Sequence, residues 1–296
     1  MIGVYGEGLV DLVPTSPEPM AALAPALGGG PFNAAIAASR LGSAVQFHSR
    51  VSTDAFGEQL ISALKVADVD VSAVQRGDEP TTLAVTTLGP DGSASYSFYL
   101  EGTADRLADP AAPALDVAAF GTLSLALEPA ASRYARVMRE LWEAGTLAVL
   151  DPNIRTLTDT AEHRERLAGL LDCVDVLKLS EEEVDFFGGR EAFAQVPVVV
   201  TTRGGEGLRI DVAGTQIDVP AVSVEVADTI GAGDTILGAI LSRIDGTTRI
   251  GLADLDWAEI GRFAAAAAAI TVSRTGAQPP RAVEVAAFLG AQVVEG

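Results

Sequence analysis

Short apolar or alternating runs recur along the chain, separated by longer segments with apolar positions three and four residues apart. Ile2-Gly3-Val4-Tyr5 reads as an opening strand, and Asp11-Leu12-Val13-Pro14 continues as extended chain into a Pro-rich turn. Leu27 to Asn33 reads as a glycine-rich loop before a helix of small residues that Gly42 ends. Val45 to Val51 predicts a strand, and Ser52-Thr53-Asp54 caps a helix reaching about Val66. Thr82–Leu88 and Ala94–Leu100 alternate and are joined by Gly89-Pro90-Asp91-Gly92-Ser93, so they predict a hairpin in a separate small sheet. From Phe120 the pattern turns to strand, helix, strand. Thr122–Leu125, Leu147–Leu150, Val174–Leu179 and Val198–Thr201 read as strands, with helices from Pro129 to Ala144 and from Ser180. Ala221 to Val226 alternates and reads as a strand, and a helix follows with Ile236, Leu237, Ile240 and Leu241 on its apolar face. Trp257–Val272 and Val283–Leu289 close the chain as helices. This order predicts an α/β fold with a doubly wound, mostly parallel sheet flanked by helices and a small β-sheet lid. One domain over residues 1–296 is expected, with lid segments near 8–16 and 82–102.

Composition narrows the function. The 296 residues are 48% hydrophobic, enough for a large core, and no apolar run approaches the roughly 20 residues that span a bilayer. The chain enters a strand directly from Met1 without a basic segment, and its one cysteine, Cys173, excludes an internal disulfide and reads as a buried filler. A cytoplasmic protein is expected. The net charge of −20 opposes nucleic acid and anionic membranes. Only two lysines occur, Lys65 and Lys178, and neither follows a glycine, so no P-loop is present. The His-Arg-Asp and Asp-Phe-Gly signatures of protein kinases are also missing. Gly6-Glu7-Gly8 after the first strand lacks the third glycine and the helix of a dinucleotide fingerprint.

The stretch with the most chemistry is Asp228-Thr229-Ile230-Gly231-Ala232-Gly233-Asp234. Its glycines fall where the helix begins, and the first turn of a helix leaves N–H groups unpaired beside the positive end of the dipole. An anion is welcome there. An aspartate in the same turn suits a base that takes a proton from a hydroxyl while the amides hold charge developing on a phosphoryl group. The residues thus imply phosphoryl transfer from a nucleotide to an alcohol. A plain helix cap at Asp234 is the alternative.

Asp-Thr-x-Gly-Ala-Gly-Asp in the last third of a chain this long resembles the ribokinase-like (pfkB-type) carbohydrate kinase family. The resemblance implies Asp234 as catalytic base and the amides of Gly231, Ala232 and Gly233 as anion hole. It extends in order from Gly6 to Gln278. It implies that Asp11, Gly28, Gly29, Asn33 and Arg155 contact the sugar, with Tyr96 and Phe98 closing on its ring from the lid. Asp151-Pro152-Asn153-Ile154-Arg155 is similar to the family's Asp-x-Asn-x-Arg, which brings Asn153 to the nucleotide phosphates. Ser180 stands where the family has Asn, and Glu183 keeps the glutamate that organises magnesium indirectly; the pair also spells a capping box. Thr202, Gly204 and Gly207 resemble a nucleotide loop, and a simple hairpin turn accounts for them equally. Gly276 lies in the loop that borders the adenine, and Asp228, Ile230, Thr271 and Gly276 match a potassium site. The implied cofactors are ATP, Mg2+ and, in some members, K+. The implied partners are a sugar, ATP and a second copy joined through the lid. Within the family the chain looks most like fructokinases, with 2-keto-3-deoxygluconate kinases and ribokinases next. A non-catalytic nucleotide- or sugar-binding regulator and a dinucleotide oxidoreductase are the readings from other classes.

Overall fold

The computed structural model describes residues 1–18, 20–88 and 94–295. Its strands in chain order are β1 Ile2–Tyr5, β2 Leu9–Pro14, β3 Leu23–Gly28, β4 Val45–His48, β5 Arg50–Ser52, β6 Gln75–Gly77 and β7 Leu83–Leu88. They continue as β8 Ala94–Tyr99, β9 Val117–Gly121, β10 Leu147–Asp151, β11 Val176–Ser180, β12 Val198–Thr202, β13 Leu208–Val212 and β14 Thr215–Val219. The helices are α1 Gly30–Arg40, α2 Ala55–Val66, α3 Leu123–Ala126, α4 Ala130–Glu143, α5 Ala161–Ala168, α6 Glu181–Phe186, α7 Ala232–Ile244, α8 Trp257–Val272 and α9 Ala282–Glu295.

The central sheet has the order β14-β13-β12-β11-β10-β9-β1-β4. It is parallel from β12 to β4, and β13 and β14 add an antiparallel edge. Successive crossovers run outward in opposite directions from β1 and β9, so the topological switch lies between these two strands. Open α/β sheets bind ligands there, at the strands' carboxyl ends. Each face buries its own core. Phe32, Leu60, Leu237, Ile240 and Phe263 pack from α1, α2, α7 and α8 on one side, and Leu125, Tyr134, Met138, Leu167 and Phe186 from α3 to α6 on the other. Helices α1 and α7 approach closely because both carry small residues. A methyl built on Gly238 would lie 2.5 Å from Cβ of Ala37 and 2.8 Å from the Ala38 nitrogen. The Ala264–Ala269 run of α8 belongs to the same layer and is buried apart from Ala268.

A second sheet, β3-β2-β7-β8, stands apart as the lid. Strand β3 was not legible in the sequence, so the lid extends beyond the expected segments to include 23–28. Pairing of Asp11 with Ala84, and of Ala84 with Phe98, puts these residues in one row. The face they share also carries Leu9 and Thr86 and is the buried one. The expected turn at Gly89–Ser93 lies outside the described residues.

Three predicted strands differ. Ala221–Val226 alternates in burial as far as Glu225 but pairs with no strand among the described residues. Thr122–Leu125 is no strand: β9 ends at Gly121, Thr122 turns at φ 62, and Leu123–Ala126 forms a short helix. Val45–Val51 divides into β4, in the central sheet, and β5, which pairs with β6. Cys173 is half-buried rather than buried. No helix among the described residues is long and apolar enough to cross a membrane.

Candidate active site

Helix α7 starts from a loop. Gly231 caps it in the left-handed region at φ 78, so Ala232, Gly233 and Asp234 occupy the first turn. Position 231 tolerates no side chain, since a methyl there would lie 2.7 Å from Cβ of Ala277. Asp234 is not the cap. Its half-buried carboxylate faces α1, where Asn33 Nδ2 donates to Oδ2 at 2.8 Å. Burial raises its pKa, while the Asn33 bond and the charges of Lys178 and Arg155 oppose the shift.

Asn33 reaches this position because α1 begins four residues before its alanine run, at Gly30 rather than Ala34. Gly29 precedes it at φ 108, and a methyl there would lie 2.7 Å from the Glu7 carbonyl oxygen. Gly30 was not singled out in the sequence, yet it lies where the groups converge. A methyl on its Cα would stand 2.8 Å from Cγ2 of Thr122, 3.1 Å from Nδ2 of Asn153 and 3.5 Å from Oδ1 of Asp234. Gly30→Ala is therefore expected to lower kcat/KM by about tenfold or more, since small misplacements of reacting groups carry losses of that size. Steady-state kinetics check this, and an unchanged kcat/KM would show that the space over Gly30 is not used.

Asp11 enters from the lid. Burial pushes its carboxyl up to about 6. Gly28, beside it on β3, leaves room for that carboxylate, since a methyl there would be 2.4 Å from Oδ2 of Asp11. The rings of Tyr96 and Phe98 stack at 6.3 Å on the same lid face; Phe98 packs with Leu9, Ala84 and Leu100, while Tyr96 is 56% exposed. Neither ring touches Asp234.

Asp151, Ser180 and Thr202 end three adjacent parallel strands. Asn153 follows at φ 45, and Arg155 is exposed without a side-chain partner among the described residues. Ser180 and Glu183 form the full capping box, and the Glu183 oxygens accept from Ile154 N and Ser180 N at 2.7 Å each. Both oxygens are thus spent on fixing the backbone near Asn153. Thr202 donates to the Leu179 carbonyl. Gly204 and Gly207 form the β12–β13 turn, where a methyl on Gly207 would meet the Val219 carbonyl oxygen at 2.1 Å. Asp228 accepts from Ile230 N at 3.0 Å and Gly276 N at 2.9 Å, joining those two segments. Thr271 is fully buried, with its hydroxyl 3.0 Å from that of Thr235 and donating to the Ala267 carbonyl.

Two charged groups escaped the sequence reading. Glu7, 2% exposed at the switch point, accepts from the Thr122 hydroxyl and from the Ser124 hydroxyl and amide. Burial pushes its carboxyl up to about 7, against those hydrogen bonds. Below its ordinary value of 4.5 Glu7 is protonated folded and unfolded alike; between there and about 7 only the folded state keeps the proton, so this contribution to stability declines as pH rises. Glu7→Gln is expected to flatten the decline of Tm across that window. An unchanged slope in thermal unfolding would assign the pH dependence elsewhere. Lys178 is the second group. It lies on β11 at 6% exposed, and its Nζ donates to Oδ2 of Asp151 at 2.7 Å. The signal was available: one lysine inside an otherwise apolar strand, two residues before a helix cap. Lys178 is thus the ion-pair partner of Asp151.

A carboxylate in the first turn of a helix, at the carboxyl ends of a parallel sheet, is an arrangement suited to phosphoryl transfer. Residues 1–283 match the pfkB family carbohydrate kinase, and the chain belongs to that family. It is 33% identical to Fructokinase-2 of Solanum habrochaites over 98% of this chain and 96% of that one. The fructokinase of Xylella fastidiosa, solved with bound ATP, superposes with a TM-score of 0.89 at 27% identity, covering 99% of this chain and 98% of the other. The Vibrio cholerae fructokinase, solved with fructose, ADP and calcium ion, gives a TM-score of 0.84 at 26% identity over 97% and 98% of the two chains.

Proposed function

We propose that this kinase transfers the γ-phosphoryl group of ATP to a hydroxyl of fructose. The observation that carries the reading is the Asp234 carboxylate, held by Asn33 in the first turn of α7 and open to the space over Gly30. A sugar there is held by Asp11, which suits two vicinal hydroxyls, and by Asn33, Arg155 and the Gly28-Gly29 backbone, with Tyr96 and Phe98 covering its ring. The hydroxyl oxygen bonds to the γ-phosphorus as the bond from phosphorus to the β,γ-bridging oxygen breaks. ADP departs, and the hydroxyl proton passes to Asp234. The amides of Gly231, Ala232 and Gly233 hold the charge on the transferring group.

Asn153, Ser180, Thr202, Gly204, Gly207 and Gly276 line the nucleotide's course in this reading. Among the described residues no three acidic, histidine or cysteine side chains form a metal cluster, which fits Mg2+ held mainly by phosphates and water. The ion would neutralise phosphate charge. Glu183 serves it indirectly, through the backbone near Asn153. Asp228, Ile230, Thr271 and Gly276 are the K+ candidates. The fructose, ADP and calcium of the Vibrio cholerae relative support this ligand set. A second copy would dock on the outer lid face, where Leu23 and Tyr99 are exposed. A cytoplasmic location suits an ATP-consuming enzyme.

A coupled ADP-release assay over fructose, ribose and 2-keto-3-deoxygluconate tests the reading. Highest kcat/KM with fructose is expected. Preference for either other sugar would reassign the substrate, and sugar binding without turnover would favour a regulator.

A further inference from the structure

Lys178 stands apart from the roles assigned so far. Its neighbours Val176, Leu177 and Leu179 on β11 are apolar, and Val176 and Val198 belong to the core under α7 and α8. Burying an ammonium there is costly, and replacing a buried ion pair by apolar residues is often neutral or stabilising. A pair kept in such a place invites a functional account.

Its surroundings supply one. A methyl built on Gly233 would lie 3.1 Å from Lys178 Nζ, so the ammonium sits directly against the first turn of α7. Its bond to Asp151 uses one of three N–H groups. The other oxygen of Asp151 has no partner among the described residues, so the pair is not a closed network. The acids facing Lys178 are Asp151 from β10, Glu183 from α6 and Asp234 from α7. Glu183 is committed to backbone amides, and Asp151 to the ammonium itself. Asp234 is faced by Lys178, Arg155 and the neutral Asn33. Arg155 is exposed, which leaves Lys178 as the buried cation next to the anion-binding amides.

We propose that Lys178 is a positioning residue for phosphoryl transfer: its ammonium, tethered by Asp151 under Gly233, adds a fixed positive charge to the helix entrance that receives the terminal phosphates. The charge acts with the amides of α7, in a site that excludes most water, where a preorganised charge outweighs the same charge in solvent. This rests on the kinase reading above and deepens it.

The experiment uses the full chain and Lys178→Met. Removing one preorganised electrostatic element of this kind lowers kcat by roughly 10²–10³, and that is the loss expected, with KM for the sugar within about twofold (the scatter of such measurements is small beside one tenfold step). Nucleotide binding gives a readout apart from turnover. In titration calorimetry the variant should bind AMP-PNP at least about tenfold more weakly, a 1.4 kcal/mol difference, and bind AMP as the wild type does. The acid limb of kcat/KM should also move to higher pH, since a cation facing Asp234 is gone. Equal losses for AMP and AMP-PNP, or unchanged kcat, would overturn the proposal and leave Lys178 a structural ion. If Lys178→Met does not fold, Asp151→Leu combined with Lys178→Met gives an apolar pair of similar volume, read by the same titrations. Wild-type turnover separates the two hypotheses: absent turnover refutes the kinase reading, whereas normal turnover in a folded variant refutes only the role of Lys178.

Discussion

Asp234→Asn is expected to lower kcat by roughly 10²–10⁴, the usual worth of general-base help, while sugar binding by calorimetry stays close to wild type. The substitution keeps shape and keeps a partner for Asn33 across the 2.8 Å bond. It removes the capacity to accept a proton, together with the negative charge that Lys178 and Arg155 face. The pH dependence follows with a definite sign. The base works ionised, so kcat/KM rises with pH as the carboxyl loses its proton. Burial raises that carboxyl despite Asn33, Lys178 and Arg155, so the limb should lie above the ordinary aspartate value of about 3.9. In Asp234→Asn the limb should vanish. A variant that keeps near-full turnover, or the same acid limb, would remove Asp234 from the chemistry.

Gly231→Val carries the second large effect. The residue caps α7 at φ 78 and faces Ala277 with no room for a methyl. A β-branched side chain in the left-handed region is strained by about 1–3 kcal/mol, and the clash adds to it. The chain relieves both by shifting the start of α7, which moves the amides of Ala232 and Gly233 off their aim. A loss of roughly 10²–10³ in kcat is expected, with a lowered Tm. Gly233→Ala is the useful contrast. It needs no left-handed backbone, and its methyl would meet only the Lys178 ammonium at 3.1 Å. If Gly231→Val turned over like wild type, the cradle would not depend on the geometry of that cap.

The fold was legible in the sequence where local pattern and tertiary structure agree. The β1 and β10–β12 strands are buried on both faces and read as apolar runs. The glycines of the Asp228–Asp234 stretch marked the helix start that α7 shows. Ala221–Val226 misled because alternation reports alternating burial, which an unpaired extended segment on a surface also shows. Strand β3 was hidden by its composition: Ala24, Pro25 and Ala26 carry little strand preference, and the antiparallel partnership with β2 decides their state. Gly30 and Lys178 were missed for another reason. Their meaning lies in what faces them across 204 or 27 residues of chain, Asp234 and Asp151, and no short window along the sequence contains both.

The three successive glycines at 28–30 join the last residue of β3 to the first of α1 with no slack between them. Only Gly29 thus separates the strand beside Asp11 from the helix that carries Asn33. A sugar bound beside Asp11 should therefore bear on Asn33 and through it on Asp234, whereas a lone water molecule should not. Futile ATP hydrolysis should accordingly be far slower than sugar phosphorylation, and loosening the joint should narrow the gap between the two rates.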